Sequence, residues 1–353
     1  MAVTEFGTSD PQTVKLWSRS LTREAIFRTY IKKFMGTGQQ AILRLVTDMQ
    51  KQPSDQVRYS LLRQMTSYGV RGDNPLRGYE EQLTYYYDDV KIDQMRNGHA
   101  FRRMSQQRVV HDMRRDGRDN LADWFANRFD ELMFGQLAGI FTAGSAAPAD
   151  FKNHAGNTLV DASADTDHYI NKATEVFKSD HIELLVEKAQ TIAPIVKPAM
   201  VDGEEYFVLV VHPYCITDIR TATSGNQWID VTKFMHMGSK KDNPFFSGVV
   251  GVWNNTLVYA STRIPLLNPG ASQYARCLFL GANAGVIAFG NAYDQLDQGY
   301  YGSENMFSWS EEIDDHGNEK SIGGAAIVGI KPCIFNSKRN GMIAIDIKAV
   351  AHS

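Results

Sequence analysis

The sequence predicts an α+β fold, and three stretches carry that prediction. Residues 112–139 read as one long amphipathic helix. Residues 206–347 hold a series of strand candidates. Residues 69–111, between them and the N-terminal part, read as a charged β-hairpin.

The helix has the clearest pattern. Apolar residues fall at Leu121, Trp124, Phe125, Phe129, Leu132, Met133, Leu137 and Ile140. That is the i, i+3, i+4, i+7 stripe of a helix with one buried face. Asp112 can cap its start, and Gly135, Gly139 and Gly144 crowd its end. Fully helical, the stretch runs about 27 residues and roughly 40 Å. That is about twice the mean length of a globular helix. Leu121, Trp124, Phe125, Phe129, Leu132 and Met133 are expected in the core.

Composition sets outer limits. The 353 residues suffice for two domains or one large one. A hydrophobic content of 43% and a charged content of 22% are ordinary for a soluble globular chain. A net charge of −3 gives no global pull toward nucleic acid or an anionic membrane. No apolar run approaches the length of a membrane span, and the N-terminus lacks the pattern of a signal peptide. Cys215, Cys277 and Cys333 are odd in number and far apart, so reduced thiols in a cytoplasmic compartment are expected.

Taken in order, residues 1–36 read as a polar arm with a helical pattern over Val14–Phe34. Ala41–Met49 is a short apolar segment, and Pro53-Ser54-Asp55 a turn. Val57, Tyr59 and Leu61 alternate as in a strand. Gly69, Gly72, Pro75 and Gly78 punctuate the next stretch, and Val90 and Ile92 mark another strand. Asn97-Gly98 is the strongest hairpin-turn signal in the chain. Charge is segregated around it. Glu80, Glu81, Asp88, Asp89 and Asp93 precede it, and Arg96, Arg102, Arg103, Arg108, Arg114, Arg115 and Arg118 follow. Either the two limbs pair their charges, or they form a projecting arm whose charges meet another subunit.

Beyond the long helix, Thr142–Asp167 reads as loop with short strands, and Lys172–Thr191 as helix. Tyr206–Val211 is a continuous apolar run, as in a strand buried on both faces. Tyr214–Thr221 follows as a helix candidate. Strands are expected at Thr256–Ser261, Arg276–Leu280, Val286–Phe289 and Ala325–Ile330, with a turn at 314–318. Ile343, Ile345 and Ile347 alternate in a final strand.

No catalytic constellation emerges. Gly36-Thr37-Gly38 lacks the third glycine and the preceding strand of a dinucleotide loop. His181-Ile182-Glu183 starts like a zinc-deaminase signature, but Asn336 stands where its second cysteine belongs after Cys333. Asp161, Ser163, Asp165 and Asp167 start like a calcium loop, but Thr166 replaces the glycine and Lys172 the bidentate glutamate. Arg71-Gly72-Asp73 is better read as a tight turn than as an integrin-binding triplet. No cofactor and no metal is expected, and no enzymatic activity.

Several ordered segments are similar to the major capsid proteins of tailed phages, of the podovirus-type family. They are Val46-Thr47-Asp48, Gly69-Val70-Arg71-Gly72-Asp73 with Leu76, Gly78, Glu80-Glu81 and Leu83, and Met104-Ser105-Gln106-Gln107-Arg108-Val109. Leu121-Ala122-Asp123-Trp124, Phe129-Asp130-Glu131, Val211-His212-Pro213-Tyr214, Asn243-Pro244, Phe279-Leu280-Gly281-Ala282 and Gly329-Ile330-Lys331 continue the match. The resemblance spans about residues 42–350 and implies the Hong Kong 97-type capsid fold. On it, residues 1–68 become an N-terminal arm with the first strand, and 69–111 an extended loop lying on a neighbouring subunit. Residues 112–171 become a peripheral domain with the spine helix, and 172–335 an axial domain. Residues 336–353 become a strand returning to the peripheral sheet.

The implied function is assembly into hexamers and pentamers of an icosahedral shell around packaged double-stranded DNA. Scaffolding, portal and decoration proteins are implied partners, and DNA contact is expected to be non-specific, with no membrane partner. The assembly interface is expected to draw on Arg71, Asp73, Arg77, Glu80, Glu81, Asp88, Asp89, Arg102, Arg103 and Arg108. An encapsulin-type compartment is the alternative within the same fold, and an unrecognised enzyme the alternative outside it.

Overall fold

The structure, a computed structural model, describes residues 25, 28–38, 40–46, 55–62, 65, 67–142, 154–201, 204–221, 248–270, 272–290 and 307–352. Most of the expected N-terminal arm and its helix, Thr47-Asp48, Pro53-Ser54 and Asn243-Pro244 lie outside these residues.

The chain begins with two short strands, Met35–Gly36 (β1) and Leu43–Val46 (β2). Gln56–Leu62 (β3) and Tyr85–Lys91 (β4) follow, then Asp93–Arg102 (β5). A short helix, Arg103–Arg108 (α1), leads into the long one, Met113–Ala138 (α2). Next come Tyr169–Lys172 (β6), Ser179–Thr191 (α3), Ala199–Val201 (β7), Glu204–Val211 (β8) and Pro213–Thr221 (α4). Val249–Trp253 (β9), Thr256–Ala260 (β10), Leu266–Leu267 (β11) and Tyr274–Leu280 (β12) continue. Gly285–Phe289 (β13), Phe307–Asp314 (β14) and the 14-residue Glu319–Pro332 (β15) precede a small ribbon, Ile334–Phe335 (β16) with Lys338–Arg339 (β17). Met342–Lys348 (β18) ends the described chain.

Two main sheets result. The first runs β1-β2-β13-β15-β14, with β5 on the other edge of β15. The second runs β6-β18-β12-β8-β10-β9, with β11 on β12 and β7 on β8. Among the described residues β3 and β4 pair only with each other, outside both sheets.

The long helix forms as its stripe dictates. The Asp112 carboxylate accepts from the Arg114 N–H at 3.0 Å, and Gly139 closes the helix with φ 70°, the left-handed cap that glycine adopts without strain. Leu121, Phe125, Phe129, Leu132 and Met133 are buried. Their rings meet the first sheet: Phe125 lies 4.9 Å from Phe307, and Phe129 lies 6.0 Å from Phe289. Trp124, expected with them, is only half-buried and packs against the core edge-on to Phe125 at 4.9 Å.

The two sheets meet at the C-terminal end of α2. There Arg339 donates to the Leu137 carbonyl at 2.6 Å, and Arg276 to that of Ala138 at 3.4 Å. Two buried guanidinium groups thus answer the orphan carbonyls and the negative end of the helix dipole. Arg276 also makes a bidentate pair with buried Asp346 on β18, at 2.8 and 3.0 Å. Burial lowers the Arg339 pKa to about 10.

Several expectations are corrected. Asn97-Gly98 is not a turn. It runs straight through β5, opposite Gly324 and Gly323 of β15. A Cβ on Gly98 would stand 2.7 Å from the Ile322 carbonyl, so the glycine serves close strand approach. The true hairpin is β3–β4, so the projection begins near residue 56 rather than 69, and Arg102, Arg103 and Arg108 are not on it. β13, β14 and β15, expected in an axial unit of residues 172–335, belong to the sheet under α2. β18, expected to return to that sheet, lies in the other one between β6 and β12, with all of Met342–Ile347 buried. The helix expected over 172–191 starts only at Ser179, since Lys172 closes β6.

Candidate assembly interface

The hairpin has an inner and an outer face, set by strand alternation. On the inner face Tyr59 packs edge-on to Phe335 at 5.6 Å, beside buried Val90 and Cys333. Burial pushes the Cys333 thiol up to about 12, so it is an inert apolar filler. The Tyr59 hydroxyl donates to Asp88 at 2.7 Å, and Lys331 of β15 pairs with the same carboxylate. Buried Asn157 adds a clamp at the base. It accepts from the Lys91 N–H at 3.0 Å and donates to the Lys91 carbonyl at 2.8 Å, standing in for a strand neighbour.

The outer face is different. Arg58 grips Asp89 with two hydrogen bonds, at 2.7 and 2.9 Å, and lies 4.6 Å from the centre of the Tyr87 ring. The Arg58 hydrogen bond holds the Asp89 carboxyl below the usual carboxylate range. Leu62, Tyr85 and Tyr87 are exposed on this face by the strand alternation, and Leu61 on the other face and Met65, Tyr68, Leu76, Tyr79 and Leu83 of the loop are exposed as well. They are the majority of the exposed large hydrophobic side chains among the described residues. Exposed large apolar side chains concentrated in one segment mark an interaction surface.

The structure distributes the expected interface residues over two places. Arg71, Asp73 and Arg77 are exposed on the irregular loop between β3 and β4. Glu80 and Glu81 brace that loop, accepting from the Gly78 N–H at 2.6 Å and the Ser67 N–H at 2.9 Å. Asp88 and Asp89 sit at the hairpin base and are already paired. Arg102, Arg103 and Arg108 lie at the far end of β5, on and beside α1, whose residues are all unburied. A pairing of Arg102 and Arg103 with Asp88 and Asp89 within one chain is therefore excluded.

The motifs weighed for chemistry have structural duties. His181 accepts from the Lys178 N–H at 3.1 Å and meets Glu175 at 3.3 Å, while Glu183 accepts from Trp253 at 2.6 Å and Asn254 at 2.8 Å. Asp161 accepts from the Ser163 N–H at 2.8 Å and pairs with Arg276. Among the described residues no group of three or more His, Cys, Asp or Glu is placed to hold a metal ion. No described helix is long and apolar enough to cross a membrane. Of the residues that set the hairpin, Arg58 and Asn157 were not singled out from the sequence, while Tyr59 entered only as a strand position and Lys331 only within a matched segment. The alternation of Val57, Tyr59 and Leu61 was the signal that located the strand carrying Arg58 and Tyr59.

A family model described as phage capsid protein matches residues 5–351. The chain belongs to the phage capsid protein family. The major capsid protein of Pseudomonas phage KPP25 is 35% identical over 135 residues. That segment is 38% of this chain and 35% of the relative's length. The capsid of Ralstonia phage GP4 superposes with a TM-score of 0.79 at 27% identity, covering 100% of both chains. An encapsulin complex of Synechococcus elongatus is more distant, with a TM-score of 0.50 at 11% identity over 100% of this chain and 95% of its own, and shares the fold alone. Within the capsid family, the long helix on the first sheet is the spine that the sequence resemblance implied.

Proposed function

We propose that this chain is the major head protein of a tailed phage, assembling into hexamers and pentamers of a closed shell around double-stranded DNA. The observation that carries this is the β3–β4 hairpin. It is anchored at its base by Asn157, Lys331 and Phe335, yet presents apolar side chains that the described residues do not cover. An isolated two-stranded ribbon is marginally stable in water, so a neighbouring subunit is its natural support. The first sheet with α2 serves as the peripheral unit, and the second sheet as the axial unit around the capsomer centre. β18, at the end of the chain, belongs to the axial side.

Assembly takes place in the host cytoplasm, with scaffolding, portal and decoration proteins as partners. Contact with the packaged DNA is electrostatic and non-specific, since no recognition helix or zinc-finger spacing is present. Catalysis has no part in the function: the chemistry is complementary surface. The encapsulin-type reading draws support from fold alone. Electron microscopy and nucleic-acid assay of particles formed by the chain with its head partners test the proposal. Closed shells that retain DNA after packaging are expected. A monomer that never associates, or shells filled only with protein cargo, contradicts it.

A further inference from the structure

Sequence order sets the three cysteines far apart, but the fold brings two of them together. Cys215 stands in the first turn of α4, and Cys277 in the middle of β12. β12 pairs with β8, Leu278 opposite Val210, and the chain leaves β8 to enter α4 at Pro213. α4 therefore starts over the stretch of β12 that carries Cys277. The two thiols share a hydrogen bond, and the Cys277 sulfur also accepts from the His212 N–H just before α4. The Cys277 thiol reaches the Ala275 carbonyl of its own strand at 3.9 Å. Both side chains are fully buried, within the main apolar cluster. Cys333 belongs to the separate cluster under the hairpin, with Tyr59 and Val90. All three are free thiols, so the chain holds one facing pair and one single cysteine.

We propose that Cys215 and Cys277 form a modification site, where a hydroperoxide closes a disulfide within one chain and so locks α4 onto β12. The thiolate of one cysteine attacks the peroxide O–O bond. It takes one oxygen as a sulfenic acid, and the other oxygen leaves with a proton as water or an alcohol. The second thiol then attacks that sulfur. The S–S bond forms, the S–OH bond breaks, and hydroxide leaves as water with the thiol's proton. The two thiols give up two electrons and two protons, and the peroxide takes them. Burial holds the Cys277 thiol well above its usual range, which keeps the thiolate scarce and the first step slow. Contact between the sulfurs decides the product. A sulfenic acid on either one is resolved by its neighbour before further oxidation. A reducing cytoplasm keeps the pair open, whereas a particle outside its host meets no such reductant. That timing rests on the shell-forming reading, but the site needs only one folded chain.

Thiol mapping tests this. The full chain is treated with hydrogen peroxide, then denatured in iodoacetamide to cap the remaining thiols. Peptides are mapped by mass spectrometry without reduction, and a melting curve is recorded for treated and reduced protein. One capped cysteine is expected, Cys333, together with a linked peptide pair joining Cys215 to Cys277. The treated chain should melt several degrees higher, since the link constrains the unfolded chain. Cys333→Ala should keep the link, and Cys277→Ser should lose both the link and the rise in melting. Three capped thiols after treatment overturn the proposal. So do sulfinic or sulfonic acids at Cys215 or Cys277 without a linked peptide, which means that the sulfurs do not meet. A link that involves Cys333 or joins two chains also overturns it, as does a linked chain that melts no higher. The map is read on the chain whether or not it forms shells, so its failure is distinct from that of the shell-forming reading.

Discussion

Phe129 and Trp124 sit five positions apart on α2, yet their environments differ. Phe129 is 7% exposed and packs against Phe289 and Phe307, whereas Trp124 is half-buried and touches Phe125. Phe129→Ala should therefore cost about 3–5 kcal/mol, as cavity-forming truncations do, and Trp124→Ala clearly less. Urea titration of dissociated subunits checks both, and equal losses would contradict the packing. The stripe was legible because helical periodicity is local. Arg276 and Asp346 were not. They lie on separate strands, and each alone reads as a polar residue on a strand's solvent side. Their partnership exists only once β12 and β18 pair, Arg276 opposite Asp346. Asn157 was invisible for the same reason, because an asparagine in a loop gives no hint that it will imitate a strand neighbour.

At the scale of elements, the sequence located most strands and the long helix but misjudged which strands belong together. Asn97-Gly98 shows why. The dipeptide favours a turn, but its glycine also permits close strand approach, and a partner strand more than two hundred residues away decided between them. Once β5 joined β15, the hairpin had to form from β3 and β4. Two elements are held by buried neutral histidines. His154 contacts the Val328 carbonyl at 2.9 Å and holds the turn that carries Asn157, and His212 accepts from the Tyr214 N–H at 3.3 Å at the start of α4. Burial lowers both pKa values. The unfolded chain thus binds these protons at a higher pH than the folded chain does. Stability is fully present above the usual histidine value of about 6.5 and declines as pH falls through it, levelling only below the folded values. The denaturation midpoint should drop between pH 7.5 and 5.5, and His154→Gln should flatten that drop. A midpoint independent of pH over this range would contradict the buried, neutral state.

For the whole molecule, one geometric fact organises the account. A two-sheet body, locked at the C-terminal end of α2 by Arg276 and Arg339, holds a ribbon that belongs to neither sheet. The sequence could predict the ribbon's charge but not its direction, which depends on clamps from residues 157, 331 and 335. Nor could it separate the hairpin from Arg102, Arg103 and Arg108, because they adjoin it in sequence and diverge from it only when β5 extends between them. The central claim is that the hairpin's outer face is buried by another copy of the chain. Amide hydrogen exchange over residues 67–91, compared between dissociated subunits and assembled particles, tests it most directly. The account predicts fast exchange in the subunit and strong protection in the particle, centred on the segment from Leu76 to Tyr87. Equal exchange in both states, or full protection already in the lone subunit, would contradict it.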